Sequence, residues 1–301
     1  MIVQATLRQT LKRTLPPPIK KALVRADNYV RRLFVLASVA RNIRGRSAAD
    51  ARVVRRSIIF GPLNLLSDID LYREPHLVAD AEVVSEGLGL FFVRGNCDDL
   101  VHVLRPYFID LFDAVRPPVK EGDVVIDAGA NLGAVSVFLA RLVGPSGKVI
   151  AVEMMPATAA GLRRNIALNS LHVVSVIERA LAGTAGMTVV AQVEPGLYGQ
   201  ASIADIENEH PRTSIEVRTT TIDEMAADLG EIAFMKMDLE GAEPIALRGA
   251  LATLPRIRSI LFESWNDDGE TGRILYAAGF DISPVDGRNW LAVRRAVQAS
   301  T

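Results

Sequence analysis

The sequence predicts an α/β protein: a mostly parallel sheet of seven strands closed by a C-terminal antiparallel hairpin, preceded by a basic, largely helical extension. From Gly122 onward, short apolar runs alternate with helical segments, the pattern of strands joined by right-handed crossovers. Near the end, two strand-like runs are separated only by a turn at Asp286 and Gly287, too short for the parallel return of about a dozen residues. At the other end, residues 1–56 hold 14 Lys and Arg against two acids, Asp27 and Asp50, although the 301-residue chain carries a net charge of only -1.

Residues 1–60 read as basic helical segments interrupted at Pro16, Pro17 and Pro18, whose rings and missing N–H groups stop a helix. From Asn28 to Arg44, Val30, Leu33, Phe34, Leu36 and Val39 are mixed with arginines in an amphipathic pattern. Such a helix lies on a membrane, docks on the body of the protein or joins a second subunit, and docking is the simplest expectation. Short strands at 81–84 and 90–93, around Gly87 and Gly89, suggest a cap. The expected division is an extension at 1–79, the main domain at 80–297 and a tail at 298–301.

In the main domain the expected order is strand 124–126, a glycine-containing turn, helix 134–143, strand 149–152, helix 157–169 and a Val-rich strand 173–177. The stretch 188–219 breaks the rhythm: strand-like 188–192 and 215–218 flank a polar loop, and loops inserted at a sheet end often carry substrate contacts. Strand 234–237, a helix from near Glu243, strand 260–262 and a helix at 270–278 follow. Strands 280–285 and 290–293 form the closing hairpin.

With 49% hydrophobic and 23% charged residues, the chain is able to bury a sizeable core. Its single cysteine, Cys97, excludes an internal disulfide framework and a cysteine-rich zinc site, and fits a reducing cytoplasm. The apolar run 33–40 is far shorter than the roughly 20 residues that span a bilayer. Beyond residue 56 the balance reverses, to 20 basic against 33 acidic residues. A basic arm on an acidic body suggests peripheral contact with an anionic surface at the inner membrane face rather than with nucleic acid; the alternative is a plain solvated helix.

The sharpest local motif is D-A-G-A-N-L-G at 127–133, between a buried strand and a helix. Gly129 allows the tight turn, and Gly133 lets the helix pack closely. The G-x-x-x-G spacing lacks the central glycine of a dinucleotide fingerprint, so pyrophosphate has no evident cradle. Asn131, in the gap, tolerates left-handed backbone geometry. Glu153, 20 residues beyond Gly133, ends the next strand, where a carboxylate accepts hydrogen bonds from both ribose hydroxyls of a dinucleotide or an adenosyl ligand. The competing account is a tight strand-to-helix turn that holds no ligand.

The second motif, K-M-D-L-E-G-A-E at 236–243, ends the fourth strand of the main domain. Strand alternation projects Lys236 and Asp238 to one side, with Asp238 at the sheet's crest. Glu240 and Glu243 would suit the positive N-terminus of the following helix, with Pro244 in its first turn. Together, the two motifs and Glu153, in this order and spacing, resemble the FkbM family of methyltransferases over about residues 80–295. The resemblance implies a Rossmann-like methyltransferase fold and transfer of a methyl group from S-adenosylmethionine to an oxygen of a sugar, glycolipid, polyketide or related metabolite. One departure is Met154-Met155-Pro156, where the family commonly has proline directly after the acid.

With that donor, Asp127, Gly129, Asn131, Gly133 and Glu153 are the cofactor-binding candidates, Asp127 and Asn131 facing its amino-acid end. Asp238 orients or deprotonates the acceptor, Lys236 holds Asp238 ionised or binds an anionic substrate group, and Glu240 completes the catalytic set. Glu263, Tyr198 and Ser202 are the substrate-facing candidates. No metal is expected, since no histidine falls within the motifs; the alternative is a hard divalent cation on Asp238, Glu240 and Glu263. Of the histidines, His210 in the insert is placed near substrate, and His76, His102 and His172 are taken as structural. Two other readings stay open: a methyltransferase-like scaffold without catalysis, and a nicotinamide-dependent oxidoreductase, against which the missing glycine argues.

Overall fold

The computed structural model describes residues 16–67, 75–204, 212–264 and 269–296. Helices α1 (Pro17–Asn42) and α2 (Ala48–Ser67) flank a short strand, β1 (Ile43–Gly45). The proline cluster starts a helix here instead of stopping one, because N–H groups in a first helical turn have no intrahelical acceptor to lose. Any helix within 1–15 lies outside the described residues.

β1 pairs antiparallel with β2 (Ala81–Ser85), which pairs with β3 (Gly89–Val93), so main-chain hydrogen bonds cross the boundary drawn at residue 79. Val39, Ile43 and Val54 are buried in one continuous core with Val125 and Leu139 of the main domain. A short helix, α3 (Ile109–Val115), leads from this cap into the main sheet.

The main sheet begins with β4 (Val124–Ala128), α4 (Ala134–Val143), β5 (Lys148–Val152), α5 (Pro156–Leu168) and β6 (Val174–Ile177). Asn165 of α5 and Asn169, just past its end, clasp the cap sheet's outer strand. The Asn165 carboxamide accepts from Phe92 N–H at 2.6 Å, and that of Asn169 both accepts from Leu90 N–H and donates to Leu90 O. The insert then forms its own sheet, with β7 (Ala180–Leu181), β9 (Thr213–Thr220) and β8 (Thr188–Val193) in the order β7-β9-β8. After α6 (Ile222–Met225) come β10 (Ile232–Met237), α7 (Glu243–Leu247), β11 (Ile257–Glu263), α8 (Glu270–Ala277), β12 (Phe280–Pro284) and β13 (Asn289–Arg294).

The seven-stranded order is β12-β13-β11-β10-β4-β5-β6, with β13 antiparallel to both of its neighbours and β4, β5, β6, β10 and β11 mutually parallel. Alternation divides the central strands between two cores: Val125 and Phe234 face the cap-side cluster, while Ile126 and Met235 face the other. Strand order reverses between β4 and β10, and a crevice outside the carboxyl ends at such a switch point is where open α/β sheets bind ligands. Among the described residues, no helix is long and apolar enough to cross a membrane.

Candidate functional site

A cleft lies at that switch point and encloses about 830 Å³ of free space, part of it open to solvent at the mouth. Its walls include residues 129–131 after β4, Glu153 after β5, Lys236, Asp238 and Glu240 around the end of β10, His102 from the cap and Tyr198 from the insert.

The turn after β4 needs glycine for two reasons. Gly129 has φ +77°, and a Cβ built on it would stand 1.9 Å from the main-chain oxygen of Asp238. Gly133, φ +88°, is not a wall of the cleft; a side chain there would strike Leu162 at 2.5 Å, so this glycine serves the packing of α4 against α5. Asn131 has φ +48° and faces the cleft with its Oδ1 unpartnered. Glu153 is held in place by N–H groups of Asn131 on Oε2 (2.9 Å) and Met155 on Oε1 (2.8 Å), and burial raises its pKa despite them. Each of its oxygens keeps a lone pair for a ligand.

Beneath Asp238 lies a buried charge group. Lys236 Nζ sits 3.2 Å from Asp238 Oδ2, 3.7 Å from Asp127 Oδ1 and 3.1 Å from Gly129 O, to which it donates. The register of β4 and β10 sets this arrangement by placing Lys236 beside Asp127. Burial opposes the lysine's charge, but the carboxylates of Asp238 and Asp127 outweigh it, so the pKa is raised. Asp238, opposed by its own burial, is nevertheless held below the usual carboxylate range by Lys236. Asp127 is fully buried, accepts from Ser136 Oγ at 2.6 Å and forms no part of the cleft wall. Its nearest cation is Lys236, whose Nζ is 3.7 Å from Oδ1, and burial pushes its pKa up.

Asp238, Glu240 and Glu263 converge, each offering an oxygen within 4.8 Å of the others. Such a group holds either a cation or protons. Burial and the Asp238 charge raise Glu240 and Glu263 to about 8, and the protonated Glu263 hydrogen-bonds to Asp238. Glu263 thus sits behind Asp238, outside the cleft wall. Glu240 has a left-handed backbone, φ +52°, and lines the cleft. Glu243, in the first turn of α7, accepts from Leu239 N–H at 2.7 Å and shapes the loop.

In the insert, Tyr198 lines the cleft with Arg94 stacked 4.7 Å from its ring centroid. Ser202 does not face substrate: it is fully buried, and its hydroxyl donates to Glu240 O at 2.9 Å and accepts from Ala204 N–H. It fastens the insert to the 238–241 loop. His210 lies outside the described residues.

His102, assigned a structural role from the sequence, is a wall of the cleft. Its Nε2 is 3.3 Å from Asp98 Oδ2, and Asp98 also accepts the N–H groups of Tyr198 (3.0 Å) and Gly199 (3.1 Å). The available signal was the acid–histidine pair at i, i+4; the partners on the insert are about a hundred residues away. Burial opposes His102 protonation, but Asp98, with Asp99 and Asp238 adding to it, raises the pKa above 6.5. The pair's contribution to stability is full below pH 6.5 and fades as pH rises through the raised value. Asp98→Asn is therefore expected to destabilise the protein more at pH 6 than at pH 9, measured by urea unfolding at both; equal losses would leave His102 uncharged in the native state.

The model of the methyltransferase FkbM domain matches residues 127–282, just over half of the chain. The 31-O-demethyl-FK506 methyltransferase FkbM of Streptomyces tacrolimicus is 29% identical over 186 residues, covering 52% of this chain and 71% of that protein. Among solved structures, an S-adenosylmethionine-dependent O-methyltransferase from Thermotoga maritima aligns over 75% of this chain and 81% of its own, with 16% identity and a TM-score of 0.43. Aeropyrum pernix fibrillarin, solved with natively bound S-adenosyl-L-methionine, aligns over 60% and 70%, with 16% identity and a TM-score of 0.38.

Proposed function

The chain belongs to the FkbM family of S-adenosylmethionine-dependent methyltransferases, and from that premise we propose that it methylates a hydroxyl oxygen on a sugar, glycolipid, polyketide or similar metabolite. The observation that carries this reading is Asp238: an ionised carboxylate, 38% exposed at the cleft, with the 6% exposed Lys236 ammonium behind it. A hydroxyl nucleophile has a proton to lose, and a fixed acceptor at the reacting end of the cleft supplies the place for it.

The residues present fit the donor. Glu153 offers its free lone pairs to the ribose hydroxyls, and the unpartnered Asn131 Oδ1 suits an ammonium group. Asn131 Nδ2, close beside Gly199, suits a carboxylate, while His102 Nε2 is already turned to Asp98. When bound, S-adenosylmethionine supplies an electrophilic methyl group on a positively charged sulfur. Asp238 then orients the acceptor hydroxyl. Because Lys236 depresses its basicity, Asp238 serves best by taking the proton as the new C–O bond makes that oxygen strongly acidic, not by removing it beforehand. Lys236, boxed in by two carboxylates and a carbonyl, keeps Asp238 ionised and aimed.

Glu153→Gln keeps the shape and removes the charge-assisted bonds to the ribose. It is expected to weaken S-adenosylmethionine binding by about tenfold or more, read by titration calorimetry, at about 1.5–3 kcal/mol per bond to a charged group. Unchanged affinity would remove Glu153 from the donor site. Hydroxyl specificity is tested separately, by incubating the enzyme with labelled donor and a panel of hydroxylated metabolites; label transferred to an amine or carbon in preference to any hydroxyl would overturn it.

A further inference from the structure

We propose that the outward faces of α1 and α2 form a docking surface for an anionic lipid membrane. A helix that merely packs on its own domain shows a polar outer face. Here Ile19, Leu23, Val30 and Phe34, 49%, 54%, 49% and 73% exposed, recur at helical spacing and fall within about 60° of one another around the axis. Leu36 and Val39 are buried on the inner side, Leu36 against Gly61 of α2. α2 repeats the design: Ile59 and Leu63 are 67% and 64% exposed, on the same face as the exposed Arg52 and Arg56. Arg41, also exposed, continues the α1 stripe.

Charge selects the occupant. Residues 17–63 contain 11 Lys and Arg against Asp27 and Asp50. Both acids are engaged locally, Asp27 with Arg31 at 2.9 Å and Asp50 with the Ser47 hydroxyl and the Glu82 N–H. A second copy would set like charges against each other in a drying interface. Nucleic acid would use the cations and leave the apolar stripes in water. An anionic bilayer satisfies both, with headgroups at the arginines and the acyl boundary under Phe34, Ile59 and Leu63.

The test is flotation of the full chain with vesicles of phosphatidylcholine, alone or with about one third phosphatidylglycerol. Recovery with the anionic vesicles only is expected, falling as salt rises from about 0.1 to about 1 M and the screening length shrinks from about 10 to about 3 Å. Phe34→Glu with Ile59→Glu should lower vesicle binding tenfold or more while leaving S-adenosylmethionine affinity and the melting temperature unchanged, since both side chains are exposed. Equal binding to neutral vesicles, or undiminished binding by this variant, would overturn the proposal. So would failure to float together with a solution dimer that the variant dissociates, or together with retention of an RNA oligonucleotide, which would assign the surface to those partners.

Discussion

Lys236→Met will lower the stability of the protein by about 3–5 kcal/mol, the usual loss when one partner of a buried ion pair is removed. Lys236 is the cation that faces Asp127, a carboxylate with no exposed surface and one oxygen without a hydrogen bond. Methionine fills the space of the lysine stem and leaves that charge unanswered. Burial already raises the Asp127 pKa, so in the variant this aspartate will escape part of the penalty by binding a proton. A group whose folded pKa lies above its unfolded one contributes stability that is lost as pH rises through the folded value; the variant should therefore recover toward wild type as pH falls. Asp127→Asn in the same chain should return much of the loss at pH 7, giving a coupling energy of about 1–3 kcal/mol in a double-mutant cycle by urea unfolding. A loss under about 1 kcal/mol for the single variant would mean that Asp127 does not depend on Lys236.

Asp238→Asn should reduce turnover by about 10²–10⁴-fold, the range for loss of a positioned proton acceptor. The amide keeps the size and still accepts a hydrogen bond, so donor affinity should stay within a few-fold of wild type. Lys236 retains Asp127, so the fold should survive. Single-turnover methyl transfer separates this from a binding defect: the loss should appear in the rate at saturating donor and acceptor. A variant with normal turnover would show that the acceptor proton leaves by another route, with Glu240 as the next carboxylate in the cleft.

The sequence is most legible where the signal is local. Apolar runs around D-A-G-A-N-L-G place β4 and α4 closely, down to the 134–143 helix, because Gly129 and Gly133 stand where only glycine fits. The short link at Asp286 and Gly287 determines the antiparallel end of the sheet in the same way. What was hidden depends on register and long-range contact. Asp127 reads from its motif as a ligand-facing acid, and only the pairing of β4 with β10 reveals that Lys236 stands beside it. Ser202 and Tyr198 belong to one polar stretch, and only the fold turns one hydroxyl into the 238–241 loop and the other side chain toward the cleft. His102 gains its place because Asp98 binds two N–H groups of the insert, a contact that no spacing rule anticipates.

The pairing of β1 with β2 has a practical consequence. A fragment trimmed to begin at residue 80 would keep the whole seven-stranded sheet, yet it would strip the partner from β2 along Val83, Val84 and Ser85. The other side of that small sheet is already occupied, because Asn165 and Asn169 clasp β3. The trimmed chain would therefore present one raw strand edge beside newly uncovered apolar surface, a template for pairing with its own kind. Aggregation of such a fragment would follow from that exposed ladder, even with every residue of the cleft still present.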